Sequence, residues 1–289
     1  MLNRLSSSLL FLTFNVFAQE EVINVSVETD TYKYAQEILQ GQPAIEVTNY
    51  ACQNSQRDVV EFILVQKALA LGGLQLKFSF TTGNYDARNI KLLRSGLLLI
   101  SFDSMWHSHV SQFADELYIS EPVIEKGEYM AGIYTSKENH AKITVKALSD
   151  LQKLTVVSNK NWPVDWATLQ QIAPKSLMHE EEWLSMAKIV SKGWVDVMLA
   201  PFTRNYPFNY QGKGYFIKAI DGAKVALNDS RHFAISKKHP NGKETFIALQ
   251  KGLAILRQRG EIARAYQQSG FLNKQVQHWN IINKSKLIE

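Results

Sequence analysis

The strongest constraint on the fold of this chain is an alternation of short apolar strands and amphipathic helices, which runs through the sequence twice. The first run predicts strands at 23–27, 74–80 and 97–101, with helices at 58–71 and 84–94 between them. Strands that alternate with helices pair in parallel, and each helix crosses over the sheet. The uninterrupted run at 97–100 (LLLI) is typical of a strand buried on both faces. We therefore predict an α/β fold.

The alternation starts again after an extended, β-rich run at 129–135 (YMAGIYT). After this run the sequence predicts strands at 154–157, 175–178, 195–199, 215–220, 225–227 and 232–236, and helices at 148–151, 165–172, 180–192, 243–259 and 261–269. Two α/β units joined by an extended segment indicate two lobes. No linker rich in Pro, Gly or Ser separates them, so we expect a structured boundary.

The N-terminus has the pattern of a secretory signal peptide. Arg4 precedes a short apolar core at 9–17 (LLFLTFNVF), and Ala18 provides a small residue at a cleavage site. The alternative is a membrane anchor, but the apolar run is well short of the roughly 20 residues that span a bilayer. No Cys lies directly after the apolar core, so we expect no lipoprotein anchor. The sequence therefore predicts a periplasmic protein cleaved near Ala18.

Composition and cysteine content exclude several classes of protein. The chain has 289 residues, of which 45% are hydrophobic and 20% charged, a globular composition. Its net charge of +5 is scattered rather than gathered into a basic block, so we predict no nucleic-acid partner. The single Cys52 allows no internal disulfide and no Cys-rich zinc site. We expect a monomer without a cofactor.

Polar and aromatic residues follow several predicted strands, where open α/β folds place their ligands. Aromatic rings there would stack on a ligand, and a few polar groups would fix its orientation. The alternative for both tryptophans of this set is simple packing under a loop. The predicted ligand-binding residues are Tyr32, Tyr34, Asp103, Ser104, Trp106, His107, Asn159, Trp162, Thr203 and Arg204.

Two further interpretations of this set were considered. The spacing of His107 and His109, with Asp103 nearby, could hold a metal ion, but surface or hydrogen-bonded histidines are more common, and we predict no metal. No G-x-S-x-G, H-E-x-x-H or phosphate-binding Gly-rich loop occurs. The only candidate proton-transferring pair is Asp103 with His107. We therefore predict no catalytic residues and no enzyme activity.

Four short segments carry recognisable patterns: Leu92-Leu93-Arg94-Ser95-Gly96, Tyr118-Ile119-Ser120-Glu121-Pro122-Val123, Gly193-Trp194-Val195-Asp196-Val197, and Lys251-Gly252-Leu253 with Arg259-Gly260-Glu261-Ile262. In this order they resemble L-x-x-G, F-S-x-P-Y, G-x-x-D-a and C-terminal helix-pair patterns. These are patterns of the type II periplasmic solute-binding proteins, in the amino-acid-binder-like branch of extracytoplasmic solute-binding family 3, which the chain resembles. The resemblance covers most of the chain that follows the predicted signal peptide.

This resemblance implies a two-lobed Venus flytrap fold with two hinge crossings, in which a bound ligand favours closure. After a signal peptide at 1–18, lobe 1 would be discontinuous, formed by 19–129 and 231–289, and lobe 2 would be formed by 130–230. The expected partner is a membrane permease of an ABC transporter or a sensor kinase.

The chain departs from the amino-acid binders at two places. The family's carboxylate-clamping Arg has no counterpart in 109–114 (HVSQFA), and Ala200-Pro201 stands where an Asp would hold the ligand's ammonium group. We therefore predict a periplasmic binding protein that closes on a small polar or aromatic ligand, other than a standard α-amino acid, and delivers it to a transporter. The alternatives are a sensor or accessory module and, third, a lyase or dehydratase on the same fold.

Overall fold

The computed structural model describes residues 22–83 and 86–287. The predicted signal peptide at 1–18 therefore lies outside the described residues. The strands are β1 (Val22–Glu28), β2 (Lys77–Gly83), β3 (Met105–Trp106), β4 (Leu117–Ile119), β5 (Met130–Ser136), β6 (Thr155–Ser158), β7 (Ser176–His179), β8 (Val197–Pro201), β9 (Asn209–Gly212), β10 (Tyr215–Ala226), β11 (Arg231–His232), β12 (Ala234–Ser236) and β13 (Asn280–Ile281).

The helices occupy most of the connections between these strands. They are α1 (Thr29–Leu39), α2 (Arg57–Gly72), α3 (Asp86–Ser95), α4 (His107–Val110), α5 (Lys137–His140), α6 (Leu148–Leu151), α7 (Pro163–Ile172), α8 (Trp183–Ser191), α9 (Gly242–Gln258) and α10 (Glu261–Ser269). Short 3-10 turns lie at Ala44–Glu46, Ser111–Phe113, Lys274–Val276 and Lys284–Lys286.

The first apolar core forms around a parallel pair of strands. β1 pairs with β2 from Val22↔Lys77 to Glu28↔Gly83, as the alternation predicts. Helix α2 packs against them and against α9, where the two helix backbones touch. A Cβ added at Gly252 of α9 would lie 1.8 Å from the carbonyl oxygen of Ala68, so only glycine fits at this crossing.

The predicted strand at 97–101 is wrong as a regular strand, and its predicted burial is correct for 98–101 but wrong for Leu97. Leu97 is 75% exposed, and the chain is buried only from Leu98 onward. Ile100 forms an isolated antiparallel bridge with Ile235, and the Ser101 amide donates to the carbonyl of Ala234 at 3.0 Å. The apolar run therefore pairs with the short strand β12 instead of extending the parallel pair, and so it never forms a ladder long enough to be a strand.

The polar and aromatic residues that follow the first predicted strand belong to a helix that the sequence analysis did not predict, because 29–39 form α1. Thr31, Ala35, Ile38 and Leu39 are buried, which is the spacing of one helical face. Asp30 lies in the first turn, and its carboxylate accepts the amide of Thr31 at 2.9 Å. The polar and aromatic residues between these positions conceal the helical period in the sequence.

A second, seven-stranded sheet forms around the extended run that the sequence places between the lobes. Its order is β13-β10-β5-β8-β6-β7, with β9 paired to β10. β6 pairs in parallel with β7 and with β8, and β13 pairs in parallel with β10. β5 is antiparallel to β8 and β10, and β9 is antiparallel to β10. The predicted strands at 215–220 and 225–227 are one strand, β10, with an irregularity between Ala219 and Lys224.

The C-terminal segment lies on this second sheet. β13 pairs with β10 at Ala223↔Asn280 and Lys224↔Ile281, and the buried side chain of Ile282 joins the core of the second sheet. The predicted division into 19–129 with 231–289 and 130–230 stays a prediction.

Tyr129 marks the boundary between the two apolar cores. Its partly buried ring packs against both cores, 5.1 Å from the ring of Trp106 and 4.8 Å from the ring of Phe271. β5 begins at the next residue, so the chain passes from one core to the other at this point. Within residues 22–83 and 86–287, none of the helices has the length and apolar character needed to cross a membrane.

Candidate functional site

The centre of the candidate site is a buried carboxylate, Glu61, on helix α2. Its side chain has no solvent exposure, and its two oxygens accept four hydrogen bonds. The donors are the Ser104 amide at 2.9 Å, the Ser104 hydroxyl at 2.7 Å, the Tyr266 hydroxyl at 2.8 Å and the Arg57 guanidinium at 2.6 Å. A buried carboxylate is tolerated when its oxygens are satisfied in this way. Glu61 therefore fixes the loop that carries Ser104.

Two arginines complete this arrangement, which we call the cleft cluster: Arg57, Glu61, Asp103, Ser104 and Arg231. Arg57 Nη1 lies 2.6 Å from both Glu61 Oε2 and Asp103 Oδ1. Arg231 Nε donates to the Ser104 hydroxyl at 3.0 Å, and its Nη2 donates to the Ser104 carbonyl. Both guanidiniums are thus already bonded within the protein.

Asp103 is the most exposed carboxylate of the cleft cluster. Its side chain is 41% exposed, whereas that of Glu61 is fully buried. Burial by itself would raise the pKa of Asp103, but the charges of Arg57 and Arg231 outweigh burial and hold its pKa below the ordinary value. Asp103 is therefore ionised at neutral pH and presents its charge at the surface of the cluster.

An aromatic wall lies beside the cluster. The guanidinium carbon of Arg231 lies 4.6 Å from the centre of the Trp106 ring, a cation–π contact. The ring of Trp106 packs in turn against Tyr129 at the boundary between the cores. One face of Trp106 is therefore fixed by Arg231, and the ring itself contacts the core of the second sheet.

Asp165 approaches the cluster from the side of the second sheet. It lies in the first turn of α7, and burial raises its pKa to about 6 while the charge of Arg231 lowers it. Apart from its own backbone amide, Asp165 has no hydrogen bond or ion pair within the described part of the chain. Burial also raises the pKa of Tyr129, while the charge of Arg57 lowers it and that of Asp165 raises it.

Three of the predicted site residues lie together at this boundary: Asp103, Ser104 and Trp106. His107 follows them but is exposed, and its ring lies 5.1 Å from that of His232. Tyr32 and Tyr34 lie on helix α1 and not on a loop. Their rings pack against the first core, where Tyr32 contacts Phe62 and Phe80 at 5.9 and 5.5 Å.

The predicted residues of the second unit divide between two places. Trp162 directly precedes α7 and is three residues from Asp165, and Asn159 is buried and donates to the Glu181 carbonyl at 2.7 Å. Thr203 and Arg204 follow β8, and Arg204 lines a separate cavity near the end of α10. Ligand contacts of all ten predicted residues remain predictions.

Arg57, Glu61, Arg231, Tyr129 and Asp165 were missed by the strand-end argument. Arg57 and Glu61 are spaced i,i+4 on a helix whose other residues at 59–69 are mostly apolar. A charged pair inside such a helix is a usable signal, because charged groups are buried only when they are paired. Arg231 gives no local signal, since its partner Ser104 is 127 residues away.

His140 lies beside an acidic side chain, with its Nε2 3.8 Å from Asp221 Oδ2. Within the described ranges, no group of three or more His, Cys, Asp or Glu side chains is arranged to hold a metal ion. His109 contacts the ring of Phe113 at 6.0 Å, and Cys52 is a free, partly buried thiol.

Solved structures with similar architecture are two-lobed binding proteins. The probable amino-acid ABC transporter extracellular-binding protein ytmK from Bacillus subtilis is 15% identical, with 89% of this chain and 100% of that one covered and a TM-score of 0.57. The ancestral cationic amino acid solute-binding protein AncCDT-1 is 20% identical, with coverages of 85% and 94% and a TM-score of 0.52. The periplasmic VFT2 domain of Bordetella pertussis BvgS is 14% identical, with coverages of 86% and 92% and a TM-score of 0.52.

No protein-family model and no curated protein sequence matches the chain. The similarity to solved structures nevertheless extends over most of the chain and nearly the full length of each neighbour. The chain therefore has the two-lobed, type II periplasmic-binding fold, which confirms the predicted α/β Venus flytrap architecture.

Proposed function

We propose that this protein is an extracytoplasmic solute receptor that closes on a small polar or aromatic ligand and delivers it to a membrane transporter. One observation carries the proposal. The cleft cluster joins α2, the loop at 103–106 and β11, and presents Asp103 and Trp106 at the boundary where Asp165 arrives from the second sheet. A ligand held there would contact both lobes, so binding would favour the closed form.

The proposed ligand carries no α-carboxylate that must be clamped by arginine. Arg57 is bonded to two carboxylates, and Arg231 is bonded to Ser104 and stacked on Trp106. A ligand carboxylate would have to displace one of these contacts. Asp103 and Asp165 instead favour a neutral or cationic polar group, with an apolar or aromatic body against Trp106.

The neighbouring structures support the transport role. Two are named as amino-acid ABC transporter binding proteins, namely ytmK, as a probable one, and the AbpA protein of Streptococcus pneumoniae bound to L-arginine. We propose that this chain shares the delivery role and differs in its ligand. The proposal includes export to the periplasm, which is based on the predicted signal peptide at 1–18.

The test is a thermal-shift screen of residues 19–289 against amines, polyamines, aromatic solutes and the standard amino acids. A ligand that binds only the folded state, present at about 100-fold over its Kd, adds roughly 2.7 kcal/mol to the free energy of unfolding. The hit is then titrated against Trp106→Ala, with Trp194→Ala as the matched control because that ring is 71% exposed and lies outside the site. If only Trp106→Ala loses affinity for the ligand, Trp106 belongs to the binding site. If both variants bind the ligand with equal affinity, Trp106 does not belong to the site.

A sensory role is the second candidate, because one neighbour is a periplasmic domain of BvgS. The two roles differ in the partner that recognises the closed form. Pull-down of the ligand-loaded protein onto membranes, followed by identification of the retained membrane protein, distinguishes a permease from a sensor kinase.

The lyase or dehydratase alternative depends on the pair Asp103 and His107. One of the neighbours, AncCDT-1, is a precursor of cyclohexadienyl dehydratase. In this chain Asp103 is bonded to Arg57, and the ring of His107 lies beside His232. Among the described residues no hydrogen bond joins Asp103 to His107. A turnover assay over a metabolite panel, with His107→Gln as the comparison, tests this alternative.

A further inference from the structure

A cavity of about 470 Å³ lies away from the cleft cluster, between the end of α10, the loop after β8 and the C-terminal segment. Three cationic side chains line it: Arg204, Arg264 and Lys274. The remaining lining residues include the amide side chains of Gln267 and Gln268. Within the described part of the chain, no carboxylate lines this cavity.

The three cations of this cavity are poorly neutralised. The Arg204 guanidinium has one long contact, 3.4 Å to the Cys52 carbonyl. Arg264 lies 3.7 Å from Glu261, but that carboxylate is only 5% exposed and already binds Lys67 at 2.5 Å. Lys274 has no ion pair among the described residues. Because like charges repel one another, gathering three of them without acids costs free energy unless an anion is bound.

The backbone that carries these cations is held in place. The Asn273 side-chain amide donates to the carbonyls of Thr203 and Arg204 at 3.0 and 3.1 Å. Gly270 has a φ of +88°, and a Cβ there would lie 2.6 Å from the Cα of Arg204. The loop after β8 is thus packed directly on the end of α10, so the backbone positions that carry the charged side chains are set before a ligand arrives.

We propose that this cavity is a second binding site, which takes a small oxyanion with two or more negative charges, either a polycarboxylate or a phosphate ester or anhydride. Guanidinium and ammonium groups donate charge-assisted hydrogen bonds to both kinds of oxygen. The volume accommodates an anion of the size of citrate or pyrophosphate. The site uses no residue of the cleft cluster, so it stands independently of the proposed solute site.

A bound anion would join the loop after β8 to helix α10. These two segments belong to the second sheet and to the first core, respectively. Occupancy of the site would therefore restrain the relative movement of the two units, and it would alter ligand affinity at the cleft by the same factor that the cleft ligand alters anion affinity.

The test is calorimetric titration of residues 19–289, in a phosphate-free buffer of low ionic strength, with citrate in one arm and pyrophosphate in the other. We expect at least one anion to bind with a Kd below roughly 1 mM. Arg264→Gln and Lys274→Gln should each raise that Kd about tenfold, because each removes one charge-assisted hydrogen bond. Lys213→Gln is the matched control, since it removes an exposed cation outside the cavity.

Comparison of the two arms assigns the anion to the carboxylate or the phosphate class. Both cavity variants alter exposed side chains, so circular dichroism melting should show unchanged folding. The proposal is overturned if neither anion binds below that limit. It is equally overturned if all three variants weaken binding to the same degree, because the attraction would then be general surface charge. Neither outcome bears on solute binding at Trp106, which the thermal-shift screen measures separately.

Discussion

Arginines occur both in the cleft cluster and in the cavity at the end of α10 that Arg204, Arg264 and Lys274 line, which we call the α10 cavity. Their environments at the two places are opposite. Arg57 and Arg231 have side chains that are 18% and 10% exposed, and both bond to groups of the protein itself. Arg264 is 45% exposed, and its nearest carboxylate is already occupied by Lys67. A buried arginine with its partners in place shapes a site, whereas an exposed arginine without a free partner is available to a ligand.

The difference arises from the acids that the fold brings to each place. Glu61 lies one helical turn after Arg57 and turns toward it, and Asp103 arrives from a loop to bond the same guanidinium. Near Arg264 the corresponding acid, Glu261, turns inward to Lys67 and Tyr50. The comparison therefore predicts large structural costs at the first place and small ones at the second.

The largest expected effect follows removal of the central carboxylate. Glu61→Gln leaves Arg57 with a weakened partner and disturbs the bonds to Ser104 and Tyr266, so we expect the free energy of unfolding to fall by about 3–5 kcal/mol. Urea denaturation measures the loss. Glu116→Gln, which breaks ion pairs at the surface with Arg94 and Lys238, should cost much less. Equal losses would show that Glu61 has no special structural role.

Substitution of one arginine at each place, Arg231 in the cleft cluster and Arg264 in the α10 cavity, should give the next largest difference in stability. Arg231→Gln strips the Ser104 carbonyl of a buried donor and uncovers Trp106, so a loss of about 2–4 kcal/mol is expected. Arg264→Gln should change the free energy of unfolding by less than about 0.5 kcal/mol. If the second variant were as unstable as the first, the cavity arginine would be structural and the contrast would fail.

Asp165 gives a smaller effect with a defined pH range. Burial raises its pKa from 3.8 to about 6, so between these values the folded state holds a proton that the unfolded state has lost. The free energy of unfolding therefore falls as pH rises from about 4 to about 6. We expect Asp165→Asn to remove about 1–2 kcal/mol of that fall, a figure reduced because the side chain is partly exposed. Urea melts of the unchanged protein and of Asp165→Asn are measured from pH 4 to pH 6. If the two proteins show the same dependence of stability on pH, the raised pKa is not that of Asp165.

Ionic strength should produce the smallest change in stability and the clearest contrast in binding. Exposed charges are screened at a Debye length of about 10 Å in 0.1 M salt, and buried pairs are screened far less. Raising NaCl should weaken anion binding at the cavity several-fold and leave unfolding of the cleft cluster almost unchanged. Calorimetric titrations at low and high salt measure the anion affinity, and urea melts under the same conditions measure the free energy of unfolding. A large drop in the free energy of unfolding at high salt would mean that the cleft cluster is open to solvent.

Much of the fold could be predicted from the sequence because its signals are local. The alternation of strands and helices correctly placed β1 and α2. Asp103, Ser104 and Trp106, which were predicted as ligand-binding residues, lie at the boundary between the two cores, and their ligand contacts stay a prediction. The helix at 29–39 was missed because polar and aromatic residues obscure its apolar face.

The rest of the candidate site depends on contacts between distant positions. Glu61 bonds Ser104 across 43 residues, and Arg231 bonds it across 127. Contacts between residues so far apart in the sequence cannot be predicted from the spacing of neighbouring residues. The apolar run at 97–100 shows the same limit, since its hydrophobicity predicts burial but does not specify the strand with which it pairs.

The most direct test of the account is the affinity of the best ligand from the thermal-shift screen for two variants, measured by calorimetry. The account predicts that Asp165→Asn weakens binding about tenfold or more, because it removes the carboxylate opposite Arg231, and that Arg264→Gln changes the Kd by less than about twofold. Weaker binding in Arg264→Gln with unchanged binding in Asp165→Asn would place the solute in the α10 cavity and contradict the cleft site.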